Sequence, residues 1–197
     1  MVKKWEEMNM KLTPILEKFF AVVSRYHAGQ KRKYTGEPYV NHLLSVAELV
    51  SKVTDSETII AMALGHDLLE DTTCTMPDCK NELIYAGFDE YAANHIVIGI
   101  SWLTDVFTPD TVPGNRAERK RAEAHRLRRA PDHIHTVKYA DLIDNTKSIV
   151  KHDHKFAKVY LAEKRYLLEC MRLGDLKLFH EAYTTLIESE ELLNLQK

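Results

Sequence analysis

The chain has 197 residues, with 27 Lys+Arg against 29 Asp+Glu and a formal net charge of −2. That length suits one domain with a substantial core, and the charge balance excludes a global positive field for nucleic acid or an anionic membrane. No apolar run approaches the roughly 20 residues needed to cross a bilayer, and MVKKWEEMNMKL carries acids where a signal peptide is apolar, so a soluble, cytoplasmic protein is expected.

Apolar residues recur at helical spacing nearly throughout, and no run of strict alternation is bounded by turn residues, so the chain reads as all-α. Thr13-Pro14 looks like an N-cap with proline at the first helical position, opening PILEKFFAVVSRYHA, and Gly29 closes that helix. The loop GQKRKYTGEP follows, then YVNHLLSVAELVSKV with its stripe of Leu43, Val46, Leu49, Val50 and Val53. Thr54 and Glu57 resemble a capping box that starts one helix, SETIIAMALGHDLL. Thr75 and Pro77 start a shorter helix ending near Gly87, and Asp89 caps DEYAANHIVIGISWL. TDVFTPDTVPGN is the longest loop; RAERKRAEAHRLRR follows it, and Pro131 starts DHIHTVKYADLIDNTKSIVKH. Asp153 or His154 caps FAKVYLAEKRYLLECMRL, Gly174 ends it, and LKLFHEAYTTLIESEELL is the last helix. The expectation is a single bundle of about eight or nine helices over residues 1–197. Cys74, Cys79 and Cys170 cannot all pair and are read as free thiols.

The stretch GHDLLEDTT carries the chemistry. His66 and Asp67 are adjacent, so on one helix their side chains diverge by about 100° and reach a common point only near a helix end or kink. Glu70 and Asp71 follow each of them by four residues, one turn on. Three carboxylates at the C-terminal end of a helix oppose its dipole and repel one another, so a cation is expected to offset them. Imidazole with carboxylate suits a divalent first-row metal. His42, on the otherwise apolar face of YVNHLLSVAELV, and Asp141, inside TVKYADLIDN, stand out as further ligands, although a lone histidine such as His42 is more often a satisfied core group.

Taken together, AGQKRKYTGEPYVNH (28–42), HDLLEDT (66–72), WLTDV (102–106) and VKYADLIDNTKS (137–148) resemble the HD-domain phosphohydrolases, and within them the RelA/SpoT-type alarmone hydrolases. The resemblance runs from about Val23 through Val150, and the helices of 155–197 would complete the bundle. It implies a hydrolase that removes the 3′-pyrophosphate of (p)ppGpp, with no stretch downstream long enough for a synthetase domain. It also implies that His42, His66, Asp67 and Asp141 hold one Mn²⁺-like ion and that Glu70 and Asp71 flank the attacking water. Arg32, Lys33, Asn145 and Lys147 match substrate-binding positions. The implied partner is a small-molecule nucleotide. Asn145, one turn beyond Asp141, is placed to face the same pocket.

The sequence departs from the family pattern where the nucleotide is read. Leu142 stands where a basic residue is usual, Asp144 adds a carboxylate, and one extra residue, Tyr34 or Thr35, separates the basic pair from GEPY. These changes leave open another nucleotide, such as NADPH at its 2′-phosphate or a deoxynucleotide; a non-catalytic nucleotide-binding module is the third reading. Tyr34, Tyr39 and Tyr139 are read as core or rim packing before base stacking. The remaining histidines, 27, 95, 125, 133, 135, 152, 154 and 180, are read as structural or surface groups.

Overall fold

The computed structural model describes residues 10–195, so the expectation drawn from the N-terminal MVKKWEEMN falls outside the described residues. Among those described, every regular element is a helix, and the only β feature is a single antiparallel bridge between Lys31 and Pro38. No helix among them is long and apolar enough to cross a membrane. Ten helices occur among the described residues, one of only four residues, in an all-α fold that divides into two compact units at Thr104/Asp105.

The first unit holds α1 (Pro14–Tyr26), α2 (Val40–Ser51), α3 (Glu57–Gly65), α4 (Leu68–Asp71), α5 (Met76–Ala86) and α6 (Glu90–Leu103). Its starts follow the sequence signals: Thr13 precedes Pro14, Asp89 accepts from Ala92 N, and Gly87 closes α5 at φ 121°, a backbone region costly for side-chain-bearing residues. The α3 start differs from the predicted capping box. Ser56 is the N-cap, and Glu57 accepts a hydrogen bond from the Thr13 hydroxyl ahead of α1 instead of folding back on its own helix. A long-range partner here outcompetes a local one.

The core of this unit is built on α3, which is apolar all round and buried from Ile60 to Gly65. It packs on α2, α6 and α1. Two glycines permit the α3–α6 approach. A Cβ on Gly65 would stand 2.9 Å from Ile100 Cδ1 and 3.2 Å from Phe19 Cζ, and one on Gly99 would collide with the Met62 side chain. Because Gly65 immediately precedes His66, this close packing fixes where the end of α3 delivers its imidazole.

The second unit holds α7 (Arg116–Leu127), α8 (Asp132–His152), α9 (His154–Cys170) and α10 (Leu176–Leu195). Asn115 and Glu118 cap α7 reciprocally, and Asp153 caps α9 through Phe156 N at 3.1 Å. The 21-residue α8 is its centre, packing on both α9 and α10, with Val150, Ala157, Tyr160, Leu161, Leu186 and Leu193 forming a cluster at one end.

At the other end His135 is buried between two backbone groups. Its Nε2–H donates to Leu127 O at 2.8 Å, and its Nδ1 accepts from Leu173 N at 3.1 Å. Both ring positions are thus committed to the neutral imidazole, and burial lowers its pKa from the ordinary 6.5. A group that resists protonation only when folded makes the unfolded state the better proton acceptor, so stability is lost as pH falls below that ordinary value toward the lowered one. The expected result is a melting temperature that falls from about pH 7 to about pH 5, with a shallower fall in His135→Gln. An identical slope in the variant would remove His135 as the cause.

Candidate metal centre

Three of the sequence-selected ligands converge in the first unit. His42 lies in the first turn of α2, His66 follows the last residue of α3, and Asp67 is the N-cap of α4 with φ −99° and ψ 1°. The run expected as one helix is therefore broken at His66-Asp67, and the break lets adjacent side chains share a target. One ligand atom from each of the three lies within 4.8 Å of the others. The His42 and His66 rings meet edge to face with centroids 5.1 Å apart.

The hydrogen bonds set the chemistry of this cluster. His66 Nδ1 lies 2.8 Å from Ala63 O, which can only accept, so Nδ1 carries the proton and donates. In the neutral ring, Nε2 then presents a lone pair to Asp67 Oδ2 at 3.0 Å, and His42 Nε2 lies 3.7 Å from the same oxygen. The His66 lone pair and the Asp67 carboxylate are both acceptors, and a positive charge between them reconciles their close approach. A divalent cation fits, and the Nδ1–H to carbonyl bond is the usual outer support of a metal-bound histidine.

The residues holding Asp67 were not foreseen as part of the site. The Tyr39 hydroxyl stands 2.7 Å from Asp67 Oδ2 and 2.8 Å from Asp71 Oδ2, sharing its one proton between two carboxylates. Tyr39 stacks on His27 at 5.2 Å and 12° between ring planes. The Gln30 side chain completes the bracket, donating to Asp71 O at 2.7 Å while its Oε1 lies 2.7 Å from His27 Nδ1. Since the Gln30 amide nitrogen is committed to Asp71, Oε1 accepts and His27 Nδ1–H donates. Burial lowers the His27 pKa, in keeping with the neutral ring. The Asp71 carboxyl is raised, first by burial and then by the Asp67 charge. Glu70 is its exposed neighbour on α4.

Arg32 and Lys33 lie on the loop between α1 and α2, closed by Arg32 N to Glu37 O at 2.9 Å and Gly36 N to Arg32 O at 3.0 Å. Gln30 and Tyr39 flank this loop, so the contacts they make tie it to α4. Lys33 is exposed, with Nζ 4.9 Å from the centre of the Tyr34 ring.

The remaining candidates lie in the second unit, on α8. Asp141 is buried, accepting from Asn145 Nδ2 at 2.6 Å through Oδ1 and pairing with Lys138 Nζ at 3.1 Å through Oδ2. Asn145 thus shares the face of Asp141, as its spacing suggested. Lys147 is exposed on another side of α8 and pairs with Glu181 of α10 at 3.7 Å. Tyr139 is core, its hydroxyl donating to Met171 O at 2.9 Å.

Residues 20–167 match the family model described as HD domain, well over half of the chain. The chain belongs to the HD domain family. Its His/Asp cluster accords with the divalent-metal binding that an HD domain implies. Among curated relatives, this HD protein is 34% identical over 139 residues to a guanosine-3′,5′-bis(diphosphate) 3′-pyrophosphohydrolase of Aquifex aeolicus and 30% identical over 135 residues to a probable GTP pyrophosphokinase of Mycobacterium leprae. Each match covers 68% of this chain but only 18% and 16% of the respective relative. A solved structure of a metazoan ortholog of SpoT, described as hydrolysing ppGpp, shares the HD fold with a TM-score of 0.76 at 18% identity, over 91% of this chain and 97% of that one.

Proposed function

We propose that this chain is a Mn²⁺-dependent phosphohydrolase, acting in the cytoplasm, that removes the 3′-pyrophosphate of guanosine 3′,5′-bis(diphosphate) and its triphosphate analogue to leave GDP or GTP. The observation that carries the metal chemistry is the meeting of the His66, His42 and Asp67 side chains. The substrate rests on similarity to the Aquifex enzyme and on the motifs around GEPYVNH and HDLLEDT. Residues 1–197 are taken as one HD-type domain, a reading supported by a family match that runs from residue 20 to residue 167.

In this reading His42, His66 and Asp67 hold the ion, and Asp141 is the fourth ligand on the strength of its motif and order in the sequence. When bound, a divalent ion lowers the pKa of water and polarises a phosphoryl oxygen. Glu70 and Asp71 accept the proton of the attacking water and orient it. The Gln30–Tyr39 bracket keeps the Asp71 carboxylate beside Asp67. Arg32 and Lys33 contact the anionic nucleotide from the closed loop, and Asn145 contributes from the Asp141 face of α8, whereas Lys147, matched by its place in the motif, is turned toward Glu181. A second reading, the same chemistry on another nucleotide, is favoured by Leu142, which is apolar and buried where the family usually has a basic residue.

Purified protein with Mn²⁺ should release pyrophosphate from ppGpp in preference to attacking NADPH or deoxynucleotides. Turnover of one of those with none of ppGpp would transfer the assignment to the second reading. Metal binding without turnover of any nucleotide would leave a binding module.

A further inference from the structure

The turn between α4 and α5 carries two cysteines that take no part in the metal centre. The start of α5 is a reciprocal capping box: Asp78 N donates to Thr75 Oγ1 at 3.3 Å and Thr75 N donates to Asp78 Oδ2 at 3.1 Å. In such a start the residue before the N-cap packs against the fourth helical residue, a contact usually made by two apolar side chains. Here those positions are Cys74 and Cys79. Both thiols are buried, at 5% and 1% exposure, so the cap brings them together inside the first unit.

The contact is polarised. The Cys74 thiol donates to Thr75 O at 3.6 Å, and the adjoining Cys79 thiol foremost, with the Tyr26 hydroxyl, holds it below the ordinary range against its burial and the charges of Asp78 and Glu82. Cys79 is pushed the opposite way by the same contact and by burial. The two sulfurs are therefore unequal: Cys74 is the more exposed of the pair and the one a small oxidant meets first, and Cys79 lies against it deeper in the unit.

We infer that Cys74 and Cys79 form an oxidisable dithiol, a modification site whose reagent is a peroxide and whose product is an intramolecular disulfide. The Cys74 thiolate attacks one peroxide oxygen, the O–O bond breaks, and the departing hydroxide takes a proton to leave as water. The sulfenic acid so formed is attacked by the Cys79 sulfur; the S–O bond breaks, the Cys79 proton leaves with the hydroxyl as a second water, and the S–S bond closes. The peroxide is reduced by two electrons and the thiols are oxidised by two. Small size suits the reagent to the slight exposure of Cys74. The turn so closed leads directly into α4: Thr72 Oγ1 donates to Leu68 O at 2.6 Å and accepts from Cys74 N at 3.0 Å, so the oxidised pair would be anchored three residues after Asp71.

The test is a hydrogen peroxide titration of the folded full chain, followed by thiol counting after denaturation and mass mapping. Cys170, in α9 of the second unit and less buried than the pair, is the internal reference. Free thiols are expected to fall from the three of the reduced chain to one. The tryptic peptide 53–80, which holds both Cys74 and Cys79, should become lighter by two hydrogen atoms and recover with dithiothreitol. In Cys79→Ser the intermediate should persist as a sulfenic acid on Cys74, trapped by dimedone. Three intact thiols at a peroxide dose that oxidises free cysteine, or loss of Cys170 ahead of the pair, would overturn the inference and leave the two sulfurs as an apolar cap contact.

Discussion

Asp67→Ala is expected to lower the affinity for Mn²⁺ by at least about 100-fold and to abolish turnover with it. Asp67 Oδ2 is the oxygen that both imidazole Nε2 atoms face, at 3.0 Å and 3.7 Å, so its removal takes away the only anionic member of the first-unit cluster. The two histidines alone offer neutral donors, which hold a divalent ion far less tightly than a mixed set containing a carboxylate. The helical content should change little, because Asp67 is partly exposed and its side chain makes no cap bond to α4. Titration calorimetry against Mn²⁺ with circular dichroism as the folding control gives the answer. A variant that binds one equivalent of metal as tightly as the parent would remove Asp67 from the ligand set, and with it the proposed mechanism.

Tyr39→Phe tests the second element of the site. The substitution removes one hydroxyl and leaves the ring stacked on His27, so its effect isolates the hydrogen bonds to Asp67 and Asp71. Outer partners of metal ligands typically contribute about 10–100-fold to affinity or activity. A fall of that size in kcat is expected, with a smaller change in KM because the closed loop bearing Arg32 and Lys33 keeps its backbone bonds. The stability cost should stay within about 1–2 kcal/mol, the ordinary range for one hydrogen bond partly open to solvent. An unchanged kcat would mean that the two carboxylates need no shared hydroxyl to stay in register.

Much of the helical layout was legible because its signals are local. Pro14 after Thr13, Asp89 before its helix, Gly87 after α5 and Pro131 before α8 each act on neighbouring backbone groups, and the structure places helix ends at or beside all four. The start of α3 was misread for the complementary reason: Glu57, which could have closed a box with Thr54, bonds to Thr13, forty-four residues away. Local spacing cannot reveal a competing partner at that separation.

The site divides along the same line. His42, His66 and Asp67 were recognisable as ligand types, and the adjacency of His66 and Asp67 already required a helix end. The Tyr39 bridge was not recognisable, because a tyrosine one residue before an apolar helix carries the same local signature whether it packs, stacks or donates. Its partners lie twenty-eight and thirty-two residues on, and they meet it only after α2 and α3 have packed. Gln30 carried no local signal for the same reason, and His27 reads from the sequence only as a structural or surface group.

By itself the sequence determined the all-α class, most helix boundaries and the residue types able to bind a cation, since all of these follow from hydrophobic period, capping chemistry and charge. Tertiary structure alone decided that the helix predicted through GHDLLED stops at Gly65. It also decided that three ligand atoms share one space and that one phenol joins two carboxylates. Those outcomes depend on the packing of α3 against α2 and on its close approach to α6 at Gly65 and Gly99, and such packing is a property of paired surfaces that no single helix contains.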